Sequence, residues 1–392
     1  MPLVKPHGPD RVLRPRLVPE PDRSALLADA RRMPAVPLTS REASDLLMLG
    51  MGAYTPLAGP MGSRDWQATV SHQRLADGTF WPIPITVSAT RTVADRLRLG
   101  SQVALTWAGQ PVAVLHLEEK YAIDAGYECQ QVFGTTDAAH PGVAKVLAQG
   151  PVNLAGPVAV LSEGGYRRRY AGLYLTPAEA RRQFTERGWS RVAALQTRNP
   201  LHRSHEFLAK IALEVCDGLF IHQVLGRLKP GDIPAEIRVQ AVDRLVAHYF
   251  VPGTVVQAGC PLEMRYGGPR EALLHAVIRQ NFGVSHLVVG RDHAGVGRYY
   301  GPYDAQRAFQ QLQPNDLEIR PLAIDLTFYC RRCDQMASRK TCPHPDTDRV
   351  IISGTRLREL LATGQSVPDH FSRPEVLDVL CQYYATVPSG GA

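Results

Sequence analysis

The sequence lacks several features that would assign it to a class at once. It has no uninterrupted apolar stretch of about 18 residues, so a membrane-spanning helix is not expected. Its first residues, "MPLVKPHGPDRVLRPRLVPEPD", are rich in Pro and Arg and have no apolar core, which excludes a secretory signal of the usual form. Only seven cysteines occur in 392 residues, too few and too unevenly placed for a disulfide framework. Internal repeats and low-complexity blocks are absent. The net charge is +7, but its densest runs, Arg167-Arg168-Arg169 and Arg331-Arg332, neither form a long stripe nor alternate with aromatics. They read as solvated surface. A nucleic-acid or membrane partner is therefore not expected, whereas small anionic substrates suit the charge. The N-terminal 22 residues read as a flexible leader and the compartment as the cytoplasm.

At roughly 100–200 residues per domain, the length allows two or three domains. Residues 23–165 are mostly short β-branched and aromatic runs punctuated by Gly and Pro, such as "FWPIPITVSA" and "WAGQPVAVL", the latter a hairpin around Gly109. This half is expected to be mainly β, a small barrel with a helix or two. From about residue 170 strands and helices alternate: "RVAAL", "PLHRSHEFLAKIALEV", "GLFIHQVL", "PAEIRVQAVDRLVAHYF", "TVVQA", "PREALLHAVIRQNF", "SHLVVG". That order predicts an α/β domain with a parallel sheet covered on both faces. Ligands of such sheets sit beyond the carboxyl ends of the strands, here the loops after residues 195, 225, 258 and 289.

Two of these loops carry unusual chemistry. "QTRNPLHRSHE" (196–206) runs from a strand into a helix. Asn199 suits an N-cap and Pro200 the first helical position. His202 and His205 lie about 60° apart on the helix, where free N–H groups and the dipole favour an anion. The planar fork of Arg198 can hold two oxygens of a tetrahedral oxyanion. A capped helix with partly buried histidines is the plainer alternative. A metal site is disfavoured by Arg198 and Arg203, which repel a cation. "GRDHAGVG" (290–297) repeats the pattern after the last strand, with Arg291, Asp292 and His293 beside Gly295 and Gly297. In "GRLKPGDIP", Arg227 and Lys229 could reach a polyphosphate or simply face solvent.

Near the C-terminus, "CRRCDQMASRKTCPH" supplies Cys330, Cys333, Cys342 and His344. Cys-x-x-Cys followed by Cys and His in a loop suits a closed, structural tetrahedral zinc site, with free thiols or a redox pair as alternatives.

Together "QTRNPLHRSHE" and "GRDHAGVG" closely resemble the signature motifs of the ATP sulfurylase, or sulfate adenylyltransferase, family. "RLADGTFWPIPITV", "FGTTDAAHPGVAKVL", "GPREALLHAVIRQNFG" and "ISGTRLRELL" resemble family segments as well, so that the likeness spans roughly residues 25–385. The resemblance implies a PUA-like barrel (23–168), a Rossmann-like nucleotidyltransferase domain (169–326) and a small C-terminal domain with the zinc loop (327–392). It implies the reaction of ATP with sulfate to give adenylylsulfate and pyrophosphate, with Mg²⁺ accompanying ATP and no covalent enzyme intermediate. Thr197, Arg198, Asn199, His202 and His205 would be catalytic. Gln196, Arg198 and Asn199 would bind ATP and sulfate, with Gly290, Arg291, Asp292 and His293 on the nucleotide and the Ala294 backbone near sulfate. A homo-oligomer, by preference a dimer, is implied too. Ser204 and Gly267 depart from residues common in the family, both by small changes. No P-loop of the form G-x-x-x-x-G-K-[ST] occurs, so an attached adenylylsulfate kinase is not expected. Two other functions fit parts of the pattern: a nucleotidyltransferase with a phosphorylated or carboxylated acceptor, and an RNA-binding protein built on a PUA-like half and a zinc loop.

Overall fold

The computed structural model describes residues 2–227, 232–352, 354–363, 365–368 and 370–386. In the N-terminal half, β1 (Ala35–Pro37), β3 (Gln102–Trp107), β4 (Gln110–His116) and β7 (Val158–Val160) form one sheet in the order β1-β3-β4-β7. A second sheet contains β2 (Val87–Ala89), β6 (Val152–Ala155) and β5 (Glu119–Tyr121), in that order. The β3–β4 hairpin turns at Ala108 and Gly109, whose φ values of 49° and 75° match the two-residue turn that suits the twist of a hairpin. Against these sheets pack more helices than the one or two expected: α1 (Asp22–Ala30), α2 (Ser40–Gly50), α3 (Ser63–His72), α4 (Arg91–Arg96), α5 (Ala125–Phe133), α6 (Pro141–Leu147) and α7 (Tyr166–Arg169). Most are of ten residues or fewer and show little apolar periodicity. Four of them start at a local side-chain cap: Thr90 on α4, Asp124 on α5, His140 on α6, and Thr39 on α2, where Glu42 completes a reciprocal capping box.

The N-terminal stretch is not the flexible leader expected from its composition. His7 is buried; its backbone N–H donates to Asn281 Oδ1 and its Nε2 pairs with Phe80 O. Leu17 bridges to Val160 in parallel. Prolines limit helix and strand but do not prevent an extended chain from bonding to the body through its remaining N–H groups.

After α8 (Pro177–Glu186) come β8 (Val192–Thr197), α9 (Arg203–Val215), β9 (Gly218–Val224), α10 (Ala235–Tyr249), β10 (Val255–Cys260), α11 (Gly268–Asn281), β11 (His286–Val289), α12 (Asp304–Gln310) and β12 (Arg320–Ala323). The five strands form one parallel sheet in the order β10-β9-β8-β11-β12. Successive strand residues feed different cores. Val192, Ala194, Phe220 and Leu287 join a core that includes α11 and continues into the N-terminal half. Ala193, Leu195, Ile221 and Val288 join a second, with α9 and α10. A sheet covered on both faces reads in sequence as the near-continuous apolar runs seen here. The chain order reverses between β8 and β11, so a crevice opens beyond their carboxyl ends. Both motifs start there.

The C-terminal part adds an antiparallel sheet, order β14-β13-β15, of β13 (Thr327–Cys330), β14 (Gln335–Ser338) and β15 (Arg349–Ile351). Helices α13 (Gly354–Ala362) and α14 (Pro374–Thr386) follow, and Leu357, Leu361, Val376 and Leu380 enter the second core. Among the described residues no helix is long and apolar enough to cross a membrane.

Candidate active site

The first motif leaves β8 through a tight turn. Thr197 Oγ1 accepts from Asn199 N at 3.0 Å and donates to Asn199 O at 2.7 Å. This turn engages the Asn199 backbone, so Asn199 is not the N-cap expected and Pro200 does not start the helix. Helix α9 begins at Arg203, after His202. The Arg203 N–H donates instead to Phe371 O. The His202 N–H donates to His205 Nδ1 at 3.4 Å, which leaves the proton of a neutral His205 on Nε2. The two rings lie 3.9 Å apart, tilted by 32°. Burial pushes the His202 imidazole well below its ordinary value, with His205 adding to the shift, and burial brings His205 down to about 4. Both are neutral near pH 7.

Arg198 stacks over the Tyr266 ring, 4.8 Å to the centroid, and its buried Nη1 has no hydrogen-bond partner. Gln196 Oε1, His202 Nδ1 and Ser204 Oγ are also buried and unpartnered. Buried polar atoms are nearly always satisfied in a finished structure, so several on one wall mark a place for a polar ligand.

The second motif leaves β11 through left-handed turns at Asp292 (φ 55°) and Ala294 (φ 57°), a conformation costly for residues with a Cβ. It is held by Asp292 N to Pro302 O at 2.9 Å, and by Gly268 N to Ala294 O at 3.1 Å. Gly268 has φ 49°, and a Cβ there would lie 2.6 Å from the Tyr300 ring. Burial and the neighbouring His275 bring His293 down to about 3.

Between the loops lies a cleft of about 340 Å³. Gln196, Thr197, Arg198, Asn199, His202, His205, Gly290, Arg291, Asp292, His293 and Ala294 all line it, whereas Pro200 and Arg203 do not and Gly295 and Gly297 line the neighbouring cavity. A second cavity of about 310 Å³ shares Arg198, Asn199, Asp292 and His293 and extends to Tyr300 and Arg358. Arg227 is not in this group. It lines a separate cavity with Trp107 and Tyr166. Lys229 lies outside the described residues.

The structure adds residues that the motifs did not reveal. Arg358, from α13, donates to Asn199 Oδ1 and Asp232 Oδ1, each at 3.3 Å, and brings the C-terminal part to the cleft. Glu206 is buried on α9 and accepts two bonds from Arg373, at 2.8 and 2.7 Å, and one from Lys210 at 2.7 Å. It clamps the histidine-bearing helix to the segment before α14. Met264, Tyr266 and His275 come from the β10–α11 region. Only the Glu271/His275 spacing of four, which puts both on one helix face, could have marked them in the sequence.

The four residues of the cysteine loop converge. Cys330 Sγ is 3.3 Å from His344 Nδ1, Cys333 Sγ 3.2 Å, and Cys342 Sγ 3.6 Å; Cys333 and Cys342 are 3.7 Å apart. The four ligand atoms lie within 4.8 Å of one another. Bonds of about 2.3 Å to sulfur and 2.0–2.1 Å to nitrogen in a tetrahedron need separations of this size.

The same architecture occurs in known proteins. This chain is 57% identical over 389 residues to the sulfate adenylyltransferase of Chlorobium chlorochromatii, covering 99% of this chain and 96% of that one. It is 57% identical over 387 residues to that of Chlorobaculum tepidum, covering 98% and 96%. Among solved structures it is similar to one described as a hexameric APS kinase from Thiobacillus denitrificans, with TM-score 0.74 and 27% identity over 97% of this chain and 68% of that one. A PUA-like domain profile matches residues 4–163, beginning inside the stretch expected to be a leader. The ATP-sulfurylase profile matches residues 171–383, which takes in both motif loops, the sheet between them and the cysteine loop. With the cleft and these matches in agreement, the chain belongs to the ATP-sulfurylase family.

Proposed function

We propose that the protein is a sulfate adenylyltransferase: ATP and sulfate give adenosine 5′-phosphosulfate and pyrophosphate. One observation carries this assignment. Two loops at the switch point of a parallel sheet bring eleven motif residues to one cleft, with the buried guanidinium nitrogen of Arg198 still lacking an acceptor. Relatives of the same name at 57% identity support it.

In this reaction a sulfate oxygen attacks the α-phosphorus in line. The bond from the α-phosphorus to the bridging oxygen breaks, and pyrophosphate leaves. Sulfate is too weak a base to need deprotonation, so the protein's task is to hold two anions together and balance the charge that develops. Arg198 holds sulfate with its fork, and Thr197 and Asn199 fix the loop that carries it. Gln196 contributes its amide to the ATP and sulfate site. His205 directs Nε2–H to the phosphates, with His202 beside it. Gly290, Arg291, Asp292 and His293 hold the nucleotide, and the Ala294 backbone lies near sulfate. Bound with ATP, Mg²⁺ would supply the charge neutralisation that eases departure of pyrophosphate.

Zinc is the structural metal of the loop at Cys330, Cys333, Cys342 and His344. Three thiols and one imidazole, the four donors that gather there among the described residues, make a closed site suited to tying β13 and β14 together, not to catalysis. The described cysteines are all unbridged, which fits the reducing cytoplasm. A homodimer is part of the proposal on the family resemblance alone. Light scattering separates the 43.1 kDa chain from a dimer or larger ring.

Exchange of labelled pyrophosphate into ATP tests the mechanism. Direct attack predicts exchange only when sulfate is present. Exchange at the same rate without sulfate would show an adenylylated enzyme and overturn the direct route.

A further inference from the structure

Helix α11 runs behind the cleft, and one of its side chains touches both motif loops without itself lining the cleft. His275 is fully buried. Its Nδ1 lies 3.2 Å from Nε2 of His293 in the second motif. Its Nε2 lies 3.3 Å from the Gln196 amide in the first motif and 3.4 Å from Glu271 Oε1, one helical turn earlier. Glu271 is anchored in turn by the backbone N–H groups of Arg265 and Gly267, at 2.8 and 3.0 Å. Burial alone would raise the Glu271 carboxyl, but His275 and Arg265 bring it down to about 2.

The proton positions follow from donors and acceptors. An ionised carboxylate only accepts, so the proton between Glu271 and His275 sits on His275 Nε2. A neutral His275 then has a lone pair at Nδ1, which accepts the Nε2–H of His293. His293 is left with a bare Nδ1. The N–H of His275 also faces the Gln196 NH2 group, donor against donor, while Gln196 Oε1 is buried without a partner. Half a turn of the amide gives up the weak 3.7 Å bond from Gln196 Nε2 to Met264 Sδ and resolves both mismatches. Oε1 then accepts from His275, and the NH2 takes the vacant side as a donor suited to an anion oxygen.

Building on the adenylyl-transfer assignment above, we infer that His275, backed by Glu271, is a positioning residue of the reaction. One buried imidazole sets which atoms Gln196 and His293 turn toward the substrates and holds the two motif loops in register. It acts through those residues and touches no substrate.

Two substitutions separate its two bonds. His275→Gln places an amide near the Nε2 position, keeps Glu271 and Gln196 engaged and abandons His293. His275→Asn places one near Nδ1, keeps His293 and abandons Gln196. Steady-state kinetics on folded variants should show kcat/KM reduced roughly ten- to hundredfold in both, with different substrates affected. His275→Asn should raise the KM for sulfate most, and His275→Gln that for MgATP. Loss of packing alone would affect both variants and both substrates alike. Equal, substrate-blind losses, or folded variants within about threefold of wild type, would overturn the inference. A wild-type enzyme without adenylyl transfer would count against the functional assignment, not against the hydrogen-bond chain. That chain is read separately by NMR of ring-¹⁵N-labelled histidine in the wild type. The expected result is a proton on Nε2 of His275 and of His293; a proton on His275 Nδ1 would refute it, whether or not the variants fold.

Discussion

Replacing Arg198 with alanine should separate function from folding sharply. The guanidinium packs over Tyr266 at 4.8 Å, and its buried Nη1 has no acceptor. In the free protein it therefore contributes little beyond a cation–π contact of about 0.5–1 kcal/mol, offset by the cost of an unsatisfied buried N–H. Stability should change by less than about 1 kcal/mol. In the complex the same fork makes two charged hydrogen bonds to sulfate. At about 1.5–3 kcal/mol each, their loss lowers kcat/KM for sulfate by roughly 10²- to 10⁴-fold. Arg198→Lys, which keeps the charge but loses the fork, should fall between. The assay is sulfate-dependent pyrophosphate release at saturating MgATP, alongside thermal melting. A folded Arg198→Ala enzyme within tenfold of wild type would refute the assignment of Arg198 to sulfate.

Three further predictions follow from packing and charge. Metal analysis should find one zinc per chain, and Cys333→Ser should lower the melting temperature by several degrees; metal-free protein of unchanged stability would exclude the structural zinc. Glu206→Ala leaves Arg373 and Lys210 without their carboxylate and should cost about 2–3 kcal/mol in urea denaturation, less than a fully buried pair because both cations reach water. A loss under about 1 kcal/mol would show that the clamp is unimportant. His205 and His293 stay neutral in the folded cleft down to about pH 4 and 3, whereas the unfolded chain takes up their protons below about 6.5. Their effect on stability is thus absent above pH 6.5 and becomes a loss as pH falls toward 4, by up to about 1.4 kcal/mol per unit for each histidine. Replacing both histidines should flatten that part of the profile; an unchanged slope would argue against buried neutral imidazoles.

What could be read from the sequence depended on how local the signal was. The parallel sheet was legible because Val192–Thr197, Gly218–Val224 and Val255–Cys260 are apolar runs separated by helices with clear periodicity. The cleft was legible because both motifs follow strands, and strand ends in such sheets share an edge. The convergence of Cys330, Cys333, Cys342 and His344 was legible from spacing alone, since side chains close in sequence need only a turn to meet. The N-terminal stretch was misread because its order comes from bonds to Asn281, Phe80 and Val160, all distant in sequence. The start of α9 was misplaced because the Thr197–Asn199 turn and the Arg203–Phe371 bond outweigh the capping preference of Asn199. His275 and Arg358 lie in segments that resemble the family but carry no chemical pattern of their own, since one acts from behind the cleft and the other arrives from a different part of the chain.

The most direct test of the central claim is ATP formation from adenylylsulfate and pyrophosphate by the purified, zinc-loaded protein. Rapid ATP production that requires Mg²⁺ is the predicted result. A folded, metal-loaded protein that makes no ATP under these conditions would contradict it and would mean that the two motif loops serve a different acceptor.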